Sequence, residues 1–297
     1  MISLSEPVRD VVPPPVLRSL PPNSVMPELP EVETVVRDLR PLLAGRSVRS
    51  IHTGPHSLRR PWKPEWTPRM GGAAFETIRR RGKWIVAELG TRGGLLIHLG
   101  MTGQLTAVAA DEPRSDHTHF VFLLNDATEL RFRDIRRFGS FEWFAEISTI
   151  DELLDGKLGP EPFDIPAKPF REALRNSTRT LKALLLDQAV VAGVGNIYAD
   201  ESLHRAKLHP ETRGNTLTAA QCDRLRLAIE AVIGKAIEYR GSTIRDYVGG
   251  SGLKGGFQNE FAAYGRTGEA CSRCGTPIEM VRVAGRSSHF CPRCQRR

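Results

Sequence analysis

The sequence predicts a multidomain α+β protein: an N-terminal β-sandwich with flanking helices, then a helical domain, then a C-terminal zinc finger. Three observations carry this. Short apolar runs broken by turn pairs occupy residues 84–144; several short strands at such spacing favour a sandwich or barrel over a βαβ sheet. Beyond Leu158-Gly159-Pro160-Glu161-Pro162 the apolar residues recur at helical spacing up to about residue 240. The chain closes on Cys271-x2-Cys274-x16-Cys291-x2-Cys294, two CxxC pairs at the spacing of a four-thiolate zinc site.

In chain order, residues 1–25 carry Pro7, Pro13, Pro14, Pro15, Pro21 and Pro22 without sustained periodicity, and are expected to be disordered. From Glu31, the residues Val32, Val35, Val36, Leu39 and Leu43 define one helix, ended by Pro41 and Gly45. Strands are expected at 84–89, 95–99, 120–124, 129–133 and 141–144, with turns such as Gly93-Gly94 and Asn125-Asp126. Helices are expected at 168–175, 181–186, 197–204 and 218–239. Between two of them, Gly193-Val194-Gly195-Asn196 is a tight turn that can offer a helix N-terminus to a phosphate. Residues 249–256 hold five glycines and read as a mobile loop. The expected domains are an extension (1–26), the sandwich (27–155), the helical domain (156–260) and the finger (261–297).

The net charge is +8 over 297 residues. Seven arginines, Arg266, Arg273, Arg282, Arg286, Arg293, Arg296 and Arg297, stand against Glu269 and Glu279 in the tail, about +5 by count. Charge so clustered points to nucleic acid. Cys222 lies on a helical apolar stripe and reads as a packed thiol. Nothing argues for disulfides or export. No run approaches the ~18 apolar residues of a membrane span, so no membrane is expected and a cytoplasmic location is. With four thiolates filling its shell, one Zn2+ at Cys271, Cys274, Cys291 and Cys294 is structural, not catalytic.

Met26-Pro27-Glu28-Leu29-Pro30-Glu31-Val32-Glu33-Thr34 resembles the start of the formamidopyrimidine-DNA glycosylases, bacterial base-excision enzymes that remove oxidised purines. His98-Leu99-Gly100-Met101-Thr102-Gly103, Arg136-Arg137-Phe138-Gly139, Gly193-Val194-Gly195-Asn196-Ile197-Tyr198 and the terminal cysteines follow in that family's order, so the resemblance covers residues 26–297. It implies a helix-two-turn-helix DNA-binding domain in the middle of the chain, and a bifunctional glycosylase and AP lyase acting through an N-terminal proline Schiff base. An N-terminal proline is a secondary amine of modest pKa, partly neutral and nucleophilic at physiological pH.

By this resemblance Pro27 is the nucleophile, Glu28 the acid/base, and Lys83 a catalytic lysine near the lesion's phosphate. Taken alone, Lys83 in Arg79-Arg80-Arg81-Gly82-Lys83 reads better as part of a solvated basic turn. His98, Asn196 and Arg286 match phosphate-holding positions, Arg286 counting with the catalytic group, and His117 and Arg136 match further DNA contacts. Met101, Arg136 and Phe138 match the trio that fills the gap left by an extruded base, although Met101 and Phe138 singly would be core residues. The loop around Ser251 matches the segment that covers the everted base. Glu31 and Glu33 are assigned only to the helix dipole. Asn176-Ser177-Thr178 replaces a lysine-rich stretch, leaving Arg179 or Lys182 to supply a phosphate contact there.

One departure bears on the chemistry. In a chain that begins at Met1, the Pro27 nitrogen is a tertiary amide and forms no iminium, so the active form is expected to start at Pro27. The expected partner is double-stranded DNA containing oxidised bases or abasic sites, bound by a monomer. Two alternatives stand beside this. One is a pyrimidine-lesion glycosylase like the endonuclease-eight branch, against which Leu29 in the third place argues. The other is a non-catalytic damaged-DNA binder, if residues 1–25 are retained.

Overall fold

Val32, Val35, Val36, Leu39 and Leu43 form the buried face of α1 (Leu29–Leu43); the helix runs through Pro41, which was expected to help end it, and stops just before Gly45. The structure is a computed structural model that describes residues 26–244 and 247–297. The expected extension therefore lies, but for Met26, outside the described residues.

Eight strands and two helices follow α1: β1 (Val48–Thr53), a single turn α2 (Thr67–Met70), β2 (Thr77–Arg81), β3 (Trp84–Glu88), β4 (Gly94–His98), β5 (Gly103–Ala109), β6 (Thr118–Leu124), β7 (Thr128–Asp134), β8 (Ser140–Phe144) and α3 (Ile147–Asp155). They build two antiparallel four-stranded sheets, ordered β1-β6-β7-β5 and β2-β3-β4-β8. The sheets face each other through aromatic rings. Phe141 of the second sheet lies 4.8 Å from Phe120 and 4.9 Å from Phe132 of the first. Val86 and Leu96 turn outward under Ile150 and Leu154 of α3, so β3 and β4 are buried on both faces, which is why their sequences are unbroken apolar runs. The sandwich is as expected.

The helical part comprises α4 (Ala167–Arg175), α5 (Leu181–Leu186), α6 (Asn196–Ala206) and α7 (Ala219–Glu238). Thr218 caps α7 by accepting the Gln221 N–H, and Gln221 returns a bond to Thr218 N–H. Cys222 is fully buried in this core, as its place on the stripe implies. Leu29 joins the same core, while the rest of the α1 face lies in the sandwich core. One helix thus fastens both bodies, with Glu28 at the seam.

The tail is a hairpin of β9 (Glu279–Val283) and β10 (Arg286–Phe290), joined by Ala284 and Gly285, both at positive φ, as a two-residue hairpin turn requires. Among the described residues no helix is long and apolar enough to cross a membrane. The glycines of 249–256 were expected to give mobility, but their backbone is hydrogen-bonded: Ala107 N–H donates to Gly250 O at 3.2 Å, and Gly255 N–H to Thr243 Oγ1 at 2.8 Å. A Cβ on Gly250 would sit 2.8 Å from Val35 O, and one on Gly255 2.3 Å from Gly241 O. At these two positions glycine is required by close approach.

Candidate active site and nucleic-acid interface

Glu28 ends at the N-terminus of α6. Its Oε2 accepts the Gly195 N–H at 2.7 Å and its Oε1 the Ile197 N–H at 2.9 Å. These are orphan donors of a helix start, where a carboxylate is favoured. Gly195 makes room for it, since a Cβ there would lie 2.4 Å from Glu28 Cδ. The tight turn was expected to offer this helix N-terminus to a phosphate; Glu28 occupies it instead. Burial raises the Glu28 carboxyl above its usual range, and Lys83 and the α6 amides partly offset the rise.

Glu31, expected to serve only the helix dipole, is buried inside the same network. Its Oε2 accepts the Glu28 N–H at 2.9 Å, and its Oε1 accepts Tyr198 Oη–H at 2.6 Å and Ser242 N–H at 2.7 Å. Burial and the neighbouring Glu28 push its pKa up to about 7.

The reading of Lys83 as part of a solvated basic turn fails. Arg79 pairs with Glu88 and Asp151, Arg80 with Glu33 and Glu161, and Arg81 with Asp155 and Glu161. Glu161 also accepts Gly82 N–H at 2.7 Å and so ties down the turn before Lys83. Lys83 itself is 9% exposed, and neither it nor Arg286 has an ion pair among the described residues. Burial lowers the Lys83 pKa; Glu28 and Glu31 oppose that, and Arg286 adds to it.

A cavity of about 450 Å³ gathers these groups. Met26 and Glu28, on either side of Pro27 in the chain, line it together with Lys83, His98, Met101, Asn196 and Arg286. Gly100 N–H donates to His98 Nδ1 at 2.9 Å, so the neutral ring carries its proton on Nε2, a donor without a partner among the described residues. Burial, with Lys83, Arg59 and Arg60, holds the His98 pKa down at about 4. Asn196 is the first residue of α6, and its buried Oδ1 has no hydrogen-bond partner among the described residues.

Met101, Arg136, Phe138 and His117 converge on a second feature. Asp134 is fully buried; it accepts Thr102 Oγ1–H at 2.5 Å, Arg136 N–H at 3.2 Å and Gly139 N–H at 2.8 Å, while its own N–H donates to His117 O at 3.0 Å. A Cβ on Gly100 would lie 2.4 Å from Gly139 N, so the Met101 and Phe138 turns are pressed together. Met101 is 6% exposed and lines the cavity, and Phe138 is 36% exposed beneath the Arg136 guanidinium, 4.8 Å from its ring. His117 is exposed and outside the cavity. Of the two substitute cations, Arg179 lines the cavity, but Lys182 is wholly buried against Asp200 and is not available to a phosphate.

The four cysteine Sγ atoms lie within 4.8 Å of one another. A tetrahedral zinc with bonds of about 2.3 Å separates its sulfurs by about 3.8 Å, so the donor set fits one structural Zn2+. His204 Nε2 approaches Cys271 Sγ at 3.5 Å, an outer-shell contact of the usual kind.

Residues 26–141 match the Formamidopyrimidine-DNA glycosylase N-terminal domain, residues 158–248 the Formamidopyrimidine-DNA glycosylase H2TH domain, and residues 268–297 the zinc finger found in FPG and IleRS. The Formamidopyrimidine-DNA glycosylase of Geobacillus kaustophilus is 44% identical over 275 residues, covering 91% of this chain and 100% of that protein. That of Herpetosiphon aurantiacus is 44% identical over 276 residues, with 91% and 100% covered. Among solved structures, Lactococcus lactis Fpg in complex with DNA containing an abasic site superposes with a TM-score of 0.85 at 40% identity, covering 91% of this chain and 100% of that one. The wild-type L. lactis protein in complex with DNA containing N7-benzyl-Fapy-dG gives the same values. Sequence, fold and cavity agree, and the chain belongs to the formamidopyrimidine-DNA glycosylase family.

Proposed function

We propose that this protein is a bifunctional DNA glycosylase and AP lyase of base excision repair, removing 8-oxoguanine and formamidopyrimidines from double-stranded DNA. The observation that carries this is the single cavity, beside Pro27, where Glu28, Lys83, His98, Asn196 and Arg286 converge from the sandwich, α6 and the finger hairpin.

In the form that starts at Pro27, the secondary amine attacks the sugar C1′ and the base departs with the glycosidic electron pair; the amine then loses its proton and the C1′–O4′ bond breaks, O4′ keeping its electrons and taking a proton from Glu28, which leaves an iminium. The iminium withdraws electrons and acidifies the C2′ proton; its loss expels the 3′ phosphate, and a second elimination expels the 5′ phosphate. Glu28 opens the sugar and moves the proton, a role suited to a carboxyl whose pKa burial has raised. Lys83 supplies a buried amine at the lesion's phosphate. His98, Asn196 and Arg286 hold the flanking phosphates, His117 and Arg136 contact the duplex, and Met101, Arg136 and Phe138 fill the vacated stack. When bound, zinc folds the hairpin that carries Arg286. The domains are read as 27–155, 156–260 and 261–297, and the protein as a monomer acting at the nucleoid, in the bacterial cytoplasm.

Purine preference rests on Leu29 and the long 241–256 loop, where Ser251 donates to Asp38 at 2.8 Å through Oγ–H. Single-turnover cleavage of duplexes containing 8-oxoguanine or thymine glycol tests it: faster purine excision is expected, and faster thymine glycol excision would transfer the protein to the pyrimidine branch. One fact favours the non-catalytic binder for the full chain, namely that Met26 precedes Pro27 and makes its nitrogen an amide.

A further inference from the structure

Asn196 and Arg286 sit on different elements, α6 and β10, and both are fixed through one buried carboxylate, Asp200. Its Oδ2 accepts the His289 backbone N–H at 2.8 Å and the His289 ring Nδ1–H at 2.9 Å. Its Oδ1 lies 2.5 Å from Lys182 Nζ, and that ammonium also donates to the Asn196 carbonyl at 2.9 Å. Asp200 and Lys182 are both closed to water, so moving the carboxylate would strand three buried donors, each at a desolvation cost.

His289 is three residues from Arg286 on a hairpin only two strands wide, and such a hairpin has little stiffness of its own. Arg273 and Gln295 tie the finger to the carbonyls of His204 and Leu208, about two helical turns or more beyond Asn196. The bond to Asp200 is made one turn from Asn196, at the cavity end of the helix. Tyr264, which lines the cavity, packs edge-on against the His289 ring at 5.1 Å.

We infer that Asp200 is a positioning residue that sets the spacing between Asn196 and Arg286, and with it the grip on the two phosphates flanking the everted nucleotide. The inference rests on the proposed function for the identity of the ligand. Lys182 holds the first clamp, His289 holds the second, and Asp200 holds both.

The test is a double-mutant comparison. Asp200→Asn keeps the side chain's size but turns an amide NH2 toward a donor; His289→Phe keeps the ring against Tyr264 and removes one bond. Each is made alone and combined with Arg286→Ala. Binding to a duplex carrying a tetrahydrofuran abasic analogue is titrated over a range of salt, with zinc content and 8-oxoguanine excision measured on the same samples. Asp200→Asn should weaken binding about tenfold, one misplaced charge-assisted contact, lower the salt slope by about one phosphate as Arg286→Ala does, and keep its zinc. In the Arg286→Ala background His289→Phe should cost nothing further, and Asp200→Asn should cost less than it does alone, only what the Asn196 contact loses. Full additivity with Arg286→Ala, or an unchanged affinity and slope, would overturn the inference. If Asp200→Asn loses zinc or fails to fold, His289→Phe decides by the same comparison, with a smaller effect in the same direction. Salt-dependent binding without excision by the wild-type protein would remove the glycosylase reading and leave the Asp200 comparison intact; no binding at all would remove both.

Discussion

Oε2 of Glu31 lies 2.9 Å from the backbone nitrogen of Glu28, so the residue proposed as acid/base is held by a second buried carboxylate that also grips Tyr198 and Ser242. Glu31 has a folded-state pKa of about 7 against an ordinary 4.5. The folded protein therefore holds more protons than the unfolded chain between these values. The contribution is fully present below the unfolded pKa and is lost as pH rises through the folded one, up to about 3 kcal/mol for one group. Thermal unfolding from pH 5 to pH 8 should show Tm falling, and the fall should be shallower in Glu31→Gln. An identical slope in the variant would show that Glu31 does not titrate in that window.

Gly195→Ala should disable excision with the fold retained. The new Cβ would lie 2.4 Å from Glu28 Cδ and drive the carboxylate off the α6 amides. A displacement of this size costs about 100-fold in rate, and overpacking costs about 1–3 kcal/mol in stability. Single-turnover excision and thermal melts check both; wild-type excision would mean that the Glu28 position is immaterial.

The apolar spacings of α1, β3, β4, β6, β7 and α7 are legible because each buries a continuous stripe or face. β2 is not, since Thr-Ile-Arg-Arg-Arg has the composition of a solvated turn and becomes a strand only because acids from β3, α1, α3 and the 158–162 segment pair its arginines. β5, with glycine first and little alternation, was missed for want of pattern, as were β1, α3 and the finger strands. In the site, the cavity-lining residues followed from family motifs. Glu31, Asp134 and Asp200 did not, because partners such as Tyr198, 167 residues from Glu31, leave no local mark. The Pro-Glu-Leu-Pro-Glu spacing, which puts two carboxylates one helical turn apart, was the available signal.

Cys291→Ser removes one of four thiolates and should leave the protein with less than full zinc content, because metal binding and finger folding are coupled. DNA affinity should fall with it, since β10 carries Arg286. Zinc analysis and a binding titration report the two effects; full zinc content in the variant would reject the four-cysteine site.

His98 is neutral above about pH 5, with its pKa held at about 4, and it offers Nε2–H as a neutral donor. His98→Ala should weaken duplex binding by about 1 kcal/mol without changing the salt dependence. Arg286→Ala should lower that slope by about one phosphate. Equal slope changes in the two variants would show that His98 binds as a cation.

The central claim is that a free Pro27 amine attacks the sugar. Protein beginning at Pro27 and protein beginning at Met1 are each incubated with duplex DNA carrying 8-oxoguanine opposite cytosine, and borohydride is added to reduce any Schiff base. A covalent protein–DNA adduct with the Pro27 form alone is the expected result. No adduct with that form despite tight binding, or an equal adduct with residues 1–26 still attached, would contradict it.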